Sequence, residues 1–267
     1  MGGNNAMKNN KLLNKVSKIV SGDKLTNASQ IGILVAAFVV TLLVLMFIKY
    51  LINSKLNEKK DSPYLIKGTK NGKNSFVIPQ DPQEEGSITL YRSHDQDKGM
   101  EFSYSFWMMV DSFSYKTGEW KHIFHKGNSS GYPNRAPGVY LHPDKNAMRV
   151  YMNTYEHIMD YVDVDNIPIK KWVCVVICLN QKDLDIYING YLRKRHTLKG
   201  LPRQNFGDVW INLFGGFEGY ISKLRYYRKG LEYNEIENIV KEGPSKGACG
   251  DTDEIPPYLD DNWWYDF

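Results

Sequence analysis

The chain has 267 residues, 42% hydrophobic and 24% charged, enough for one large domain with appendages. Its 18 Tyr, 11 Phe and 6 Trp favour β-sheets over a helical bundle. The net charge of +4 is uneven, because residues 1–60 hold nine Lys against Asp23 and Glu58 and leave the remainder slightly acidic. That balance excludes a phosphate-tracking surface, so no nucleic-acid partner is expected.

Residues 1–30 form a basic segment. In MKNNKLLNKVSKIV, Leu12, Leu13, Val16, Ile19 and Val20 fall on one helical stripe with lysines opposite. Such a stripe suits an anionic bilayer surface or a protein partner. Ile31 to Ile48, IGILVAAFVVTLLVLMFI, contains no charged side chain. At about 1.5 Å per residue it spans about 27 Å, so a single transmembrane helix is expected over residues 31–52, with the lipid bilayer as partner. The run is too long and starts too late for a cleaved leader. Lys11, Lys15, Lys18 and Lys24 precede it and Lys49, Lys55, Lys59 and Lys60 follow, which leaves its orientation open. Residues 53–85 are polar and Lys-rich, and read as a stalk or as an extended segment laid across another surface.

Residues 86–242 read as one domain of many short strands. MEFSYSFWMMV alternates, with Phe102, Tyr104, Phe106, Met108 and Val110 on one face and Ser103, Ser105, Trp107 and Met109 on the other. Further strands follow at short spacing from WKHIFHKG to GYISKLRYYRKG, separated by Gly, Pro, Asn and Asp, the pattern of a sandwich or barrel. LDIYINGYL is a hairpin: Asn189 and Gly190 suit a two-residue turn with positive φ, and Leu184, Ile186 and Ile188 share a face. Only YNEIENIVK, Tyr233 to Lys241, has helical spacing, with Ile236, Ile239 and Val240 on one side. The loop KGNSSGYPNRAP, which contains the Asn128-Ser129-Ser130 glycosylation triplet, lies between strands where binding loops commonly sit. Cys174 and Cys178 in one strand would stand about 13 Å apart, too far for a mutual disulfide.

Four stretches together resemble the concanavalin A-like lectin/glucanase superfamily, the jelly roll of laminin G-like and pentraxin-like modules. They are FSYSFWMMV, IPIKKWVCVVICLN with Trp172, the LDIYINGYL hairpin, and FGGFEGYISKLRYYRKGLEYNEIENIV with Leu224, Tyr226 and Leu231. The resemblance implies an all-β jelly-roll sandwich of two antiparallel sheets, here preceded by one transmembrane helix. It also raises three site expectations. Glucanases of this superfamily need an acid and a nucleophile about 5 Å apart for retention. Asp183 and Asp185 share a face but no Glu follows, and Asp163 and Asp165 are no better, so both pairs read as solvated positions and no catalytic residue is expected. Calcium, which such domains often hold through hard oxygen ligands, has candidates in Asp144, Asn146, Asp163 and Asp165, without the regularity of a dedicated loop. The histidines are too scattered for zinc, and His122 and His125 cannot share a face of a regular strand.

Residues 243–267 form an acidic, aromatic tail. Gly250 to Phe267 holds six acidic and no basic side chains, and Trp263, Trp264, Tyr265 and Phe267 read as a docking element for this domain or a neighbouring subunit. The sequence as a whole implies a non-enzymatic, single-pass membrane protein that binds other structural proteins of an assembly. Its anchor and Lys/Asn-rich flanks resemble membrane-associated minor capsid proteins of large DNA viruses, which implies a virion or host internal membrane. The alternatives are a carbohydrate-binding attachment module and, third, a glycoside hydrolase. An aromatic platform on an open sheet face would favour sugar binding, and burial of that face against a neighbour would favour scaffolding.

Overall fold

The structure is a computed structural model that describes residues 27–93 and 99–246. The chain divides into two compact units, Met1–Leu56 and Asn57–Phe267. Helix α1 spans Asn27–Asp61. No Gly after Gly32 and no Pro interrupt it, and its aliphatic residues sustain helix once its carbonyls are paired internally. Side chains from Ile31 to Asn57 are all exposed, apolar ones on every side. Thr41 returns its hydroxyl to the Ala37 carbonyl at 2.9 Å, which satisfies that polar group within the helix. Ile31–Asn57 is long and apolar enough to cross a membrane.

The second unit is a sandwich of two six-stranded antiparallel sheets. In chain order the strands are β1 (Thr69–Asn71), β2 (Phe76–Ile78), β3 (Glu101–Val110), β4 (Lys121–Gly127), β5 (Arg135–Leu141) and β6 (Ala147–Met152). They continue as β7 (Asp160–Asp165), β8 (Trp172–Asn180), β9 (Asp183–Ile188), β10 (Tyr191–Thr197), β11 (Asp208–Ile211) and β12 (Gly219–Tyr227). The first sheet has the order β1-β12-β3-β8-β9-β10 and the second β2-β11-β4-β5-β6-β7. Alternation sorts the side chains as expected. Phe102, Tyr104, Phe106, Val175, Ile186 and Ile188 all enter the core between the sheets. Trp107, Met109, Trp172, Cys174 and Val176 face outward from the first sheet, yet they too are buried, in a second cluster with Leu231 and Ile236. Helix α2 (Tyr233–Glu242) supplies Ile236 to that cluster, and a reciprocal cap between Glu232 and Glu235 fixes where it starts. Cys174 and Cys178 are free and buried, and burial pushes both thiols up, away from reactivity.

One feature departs from the sequence reading. Residues 53–85 are not simply a stalk: α1 continues to Asp61, and the chain beyond it belongs to the sandwich. The Leu65 and Ile66 amides donate to the Leu224 carbonyl at 2.8 and 3.0 Å, β1 pairs with β12, and β2 crosses to pair with β11. Strands of three residues are too short to show a period of two, so composition alone concealed them. In β12, Leu224 and Tyr226 share the core face, and Ile221 joins them although an odd spacing separates it from Leu224. A register shift between Ser222 and Arg225, with Lys223 at φ 46°, absorbs the extra residue.

The Asn189-Gly190 corner adopts the expected turn, with φ of 50° and 85°. Asn189 also accepts the Cys174 amide through its side chain at 2.8 Å, which ties the hairpin tip to β8. A Cβ on Gly190 would meet Val240 at 3.5 Å, an ordinary contact, so only the positive φ resists substitution. Gly190→Val is therefore expected to cost more than about 1 kcal/mol, read as a lower denaturation midpoint with an unchanged slope.

Candidate functional site

The outer face of the second sheet carries an ordered array that alternation alone did not reveal. It begins with β4. Ile123 and Phe124 are neighbours in sequence, and both point into the core. A shift in pairing makes this possible: His122 stands opposite Tyr140, while Phe124 stands opposite Val139. The extra residue turns His122 and His125 to the same outer face, against the expectation that they could not share one. Two rows then cross the sheet. One runs His122, Tyr140, Arg149, Asp163, and the other His125, Gly138, Tyr151, Tyr161.

The histidines form a directed chain. The Leu213 amide donates to His122 Nδ1 at 2.9 Å, so the proton of His122 sits on Nε2. That N–H donates to His125 Nδ1 at 2.7 Å, and His125 Nε2 donates to the Asn128 carbonyl at 2.7 Å. Burial holds His122 well below the ordinary imidazole range, and the neighbouring His125 adds to this. Burial also lowers His125, with Arg135 acting in the same direction and the Asn128 bond opposing. Both rings are neutral, and together they latch the start of the 128–134 loop.

Aromatic rings and guanidinium groups interleave beside them. Arg149 lies 4.8 Å from the Trp120 ring and 3.7 Å from the Tyr161 ring. It also grips Asp163 with two bonds of 2.6 and 2.7 Å. Arg135 lies 3.6 Å over Tyr151. Tyr140 meets Tyr151 edge-on at 5.7 Å, and Trp120 meets Tyr140 edge-on at 6.4 Å. Tyr140 and Tyr151 are buried beneath the arginines, whereas Trp120 and Tyr161 remain 37% and 42% exposed. The result is a face on which aromatic rings, oriented donors and one carboxylate lie side by side.

The residues singled out from the sequence are placed otherwise. Asp185 is buried, not solvated, and Arg195 takes both its oxygens at 2.7 and 2.6 Å. Asp183 accepts the Thr197 hydroxyl at 2.8 Å, so the two carboxylates brace the β9–β10 hairpin. Of the calcium candidates, Asn146 spends its amide on the Ile167 backbone, with both bonds at 2.9 Å, and Asp163 is committed to Arg149. Asp144 and Asp165 are exposed. Among the described residues no three His, Cys, Asp or Glu side chains gather to hold a metal ion. Trp263, Trp264, Tyr265 and Phe267 lie outside the described residues, as does the basic stripe from Leu12 to Val20.

The two antiparallel six-stranded sheets make a lectin-type fold. The chain belongs to the concanavalin A-like lectin/glucanases superfamily, whose laminin G-type family model matches residues 81–237. No curated protein matches it in sequence. Similar solved structures include the botulinum neurotoxin serotype D ligand binding domain in complex with N-acetylneuraminic acid, at 14% identity, 69% coverage of this chain, 51% of that one and TM-score 0.48. Another is the botulinum neurotoxin type G receptor binding domain, at 15% identity, 65% and 46% coverage and TM-score 0.43. This chain thus spans about half the length of those structures.

The histidine chain makes stability depend on pH. Both imidazoles bind protons more weakly in the folded state than in the unfolded chain, so acidification below their unfolded range favours unfolding. Stability should fall from about pH 6.5 downward, by at most about 1.4 kcal/mol per pH unit per histidine, until the depressed folded values are reached. A thermal-melt series on the full chain is expected to show this slope. His122→Asn should flatten it even where it lowers the midpoint at neutral pH.

Proposed function

We propose that the chain is a membrane-anchored, non-enzymatic binding module that recognises saccharides on the outer face of its second sheet. The observation that carries this reading is the interleaved surface of Trp120, Tyr161, Arg149 and Asp163. A pyranose ring presents an apolar face of C–H groups and an equatorial rim of hydroxyls. Flat aromatic faces suit the former, while a fixed guanidinium–carboxylate pair offers donors and acceptors to the latter. Because the Arg149–Asp163 pair is already neutralised and bidentate, it is held in place before any ligand arrives, which limits the entropy lost on binding. The apolar helix Ile31–Asn57 supports the anchor, and the commitment of Asp183 and Asp185 to their hairpin supports a role without hydrolysis.

Full-length protein in detergent or lipid discs, applied to immobilised oligosaccharides, tests the reading. Binding is expected, with Trp120→Ala and Tyr161→Ala each weakening it about tenfold, and no new reducing ends should appear on incubation with β-glucans. Binding untouched by both substitutions would sink the proposal. A scaffolding role in a layered assembly, the reading drawn from the anchor and flanks, predicts instead that the same substitutions break self-association and leave glycans unbound.

The anchor is tested separately. The full chain should stay in the membrane fraction after carbonate and high-salt washes, and release by salt alone would make α1 a peripheral helix.

A further inference from the structure

We propose that Arg135 is an anion subsite within this face, and that the saccharides it selects are acidic, bearing a carboxylate or sulfate group. This deepens the saccharide reading and rests on it.

Arg135 is half-buried and lacks the strong oxygen acceptors that Arg149, Arg225 and Arg228 hold. Arg149 pairs with Asp163 and Arg228 with Asp61, while Arg225 donates to the Ser62 carbonyl at 2.9 Å. No carboxylate among the described residues pairs with Arg135. Its guanidinium reaches the Met159 sulfur from Nη2 at 3.0 Å, a weak acceptor, and the neutral Tyr140 hydroxyl, and Nε is buried with no partner. A permanent positive charge is thus held partly out of water with unused donors, a costly arrangement that an incoming oxyanion would relieve.

The side chain is positioned for such a ligand. Gly138 leaves a gap in the second row of the sheet, and Arg135 lies across it: a Cβ on Gly138 would come within 2.9 Å of Arg135 Cδ. The guanidinium then stacks 3.6 Å over Tyr151 and 5.6 Å from the Tyr140 ring, which fixes its plane. Its backbone is clamped as well. The Arg135 amide donates to the Asn153 side chain, and the Asn153 amide returns to the Arg135 carbonyl at 3.2 Å. Asn153 also donates to the Pro133 and Ile158 carbonyls at 3.0 and 2.5 Å, so one buried amide sets the loops on both sides of the arginine. Burial holds the neighbouring His125 below the ordinary imidazole range, so at neutral pH it offers no competing charge.

The test compares three probes on full-length protein in discs of uncharged lipid: a neutral N-acetylglucosamine oligomer, a hyaluronan oligomer and a sulfated chondroitin oligomer. Wild-type protein is expected to prefer at least one acidic probe roughly tenfold, with the preference shrinking as salt rises from about 20 mM to about 500 mM. Arg135→Gln should abolish that preference while leaving neutral binding and the melting point within about twofold and a few degrees. Arg135→Lys should retain part of it, since charge remains without the planar fork. Which acidic probe is preferred separates carboxylate from sulfate. Neutral binding without an acidic preference, or a preference that survives Arg135→Gln, overturns the subsite and leaves the saccharide reading standing. Failure of all three probes overturns both. Should Arg135→Gln not fold, the Arg135→Lys variant and the salt response of the wild type decide the question.

Discussion

Ile123 and Phe124 are adjacent in sequence and both buried in the core, and the outer face of the second sheet depends on how β4 accommodates them. A regular strand would send one of them outward. Burying a large apolar side chain is worth about 1.5–3 kcal/mol, and the bulge lets the strand keep both inside. The bulge has two consequences. It turns His122 and His125 to one side, where the Leu213 amide and the Asn128 carbonyl align them. It also sets the register in which Tyr140 and Arg149 continue one row and Tyr151 and Tyr161 the other. Core packing on one side of β4 thereby determines which polar groups meet on the other.

The same logic marks what could be read beforehand. A period of two over ten residues in β3 specifies which side chains enter the core, and Asn189-Gly190 specifies a turn through local sterics, so both were legible. The stalk reading failed because β1 and β2 are held by partners some 140 residues away in sequence, with no local signal of their own. Alternation does assign Tyr140, Arg149, Tyr151 and Tyr161 to outward positions, since Val139, Leu141, Met148, Val150 and Val162 between them are apolar. It does not say which of them stand opposite one another. The Arg149–Asp163 pair and the stacking of Arg135 on Tyr151 exist only in that register. For the calcium candidates the sequence supplied oxygen atoms but not their prior engagements, and Asn146 and Asp163 are already spent on the Ile167 backbone and on Arg149.

Membership of a large superfamily gives the scaffold and leaves the chemistry to particular side chains. In this chain the two sheets are used unequally. The outer face of the first sheet is closed by Leu231 and by Ile236 of α2, with Trp107 and Trp172 packed beneath them. The corresponding positions of the second sheet carry arginine, histidine and tyrosine: His122, His125, Tyr140 and Tyr151 are buried there with polar or cationic partners, and Trp120 and Tyr161 meet water. A sandwich needs only its inner faces apolar. The contrast between an apolar covered face and a polar-aromatic one is an asymmetry that folding does not require.

An open, flat face sets limits on the affinity it can provide. It engages one side of a ligand and leaves the other in water, so each saccharide unit contributes little after the cost of immobilisation. On the proposed reading, two features offset this. Arg135 and Arg149 are fixed by stacking before ligand arrives, so little rotamer entropy remains to be lost. Anchoring confines many copies to one surface, where a ligand with repeated units engages several faces and the effective concentration of each further contact rises toward the millimolar range. Weak individual contacts then add to durable attachment, and they do so selectively, because a charge mismatch at Arg135 is counted once for every face engaged. A shallow charged surface on a membrane tether gains its discrimination through that repetition, which a deep monovalent pocket would not need.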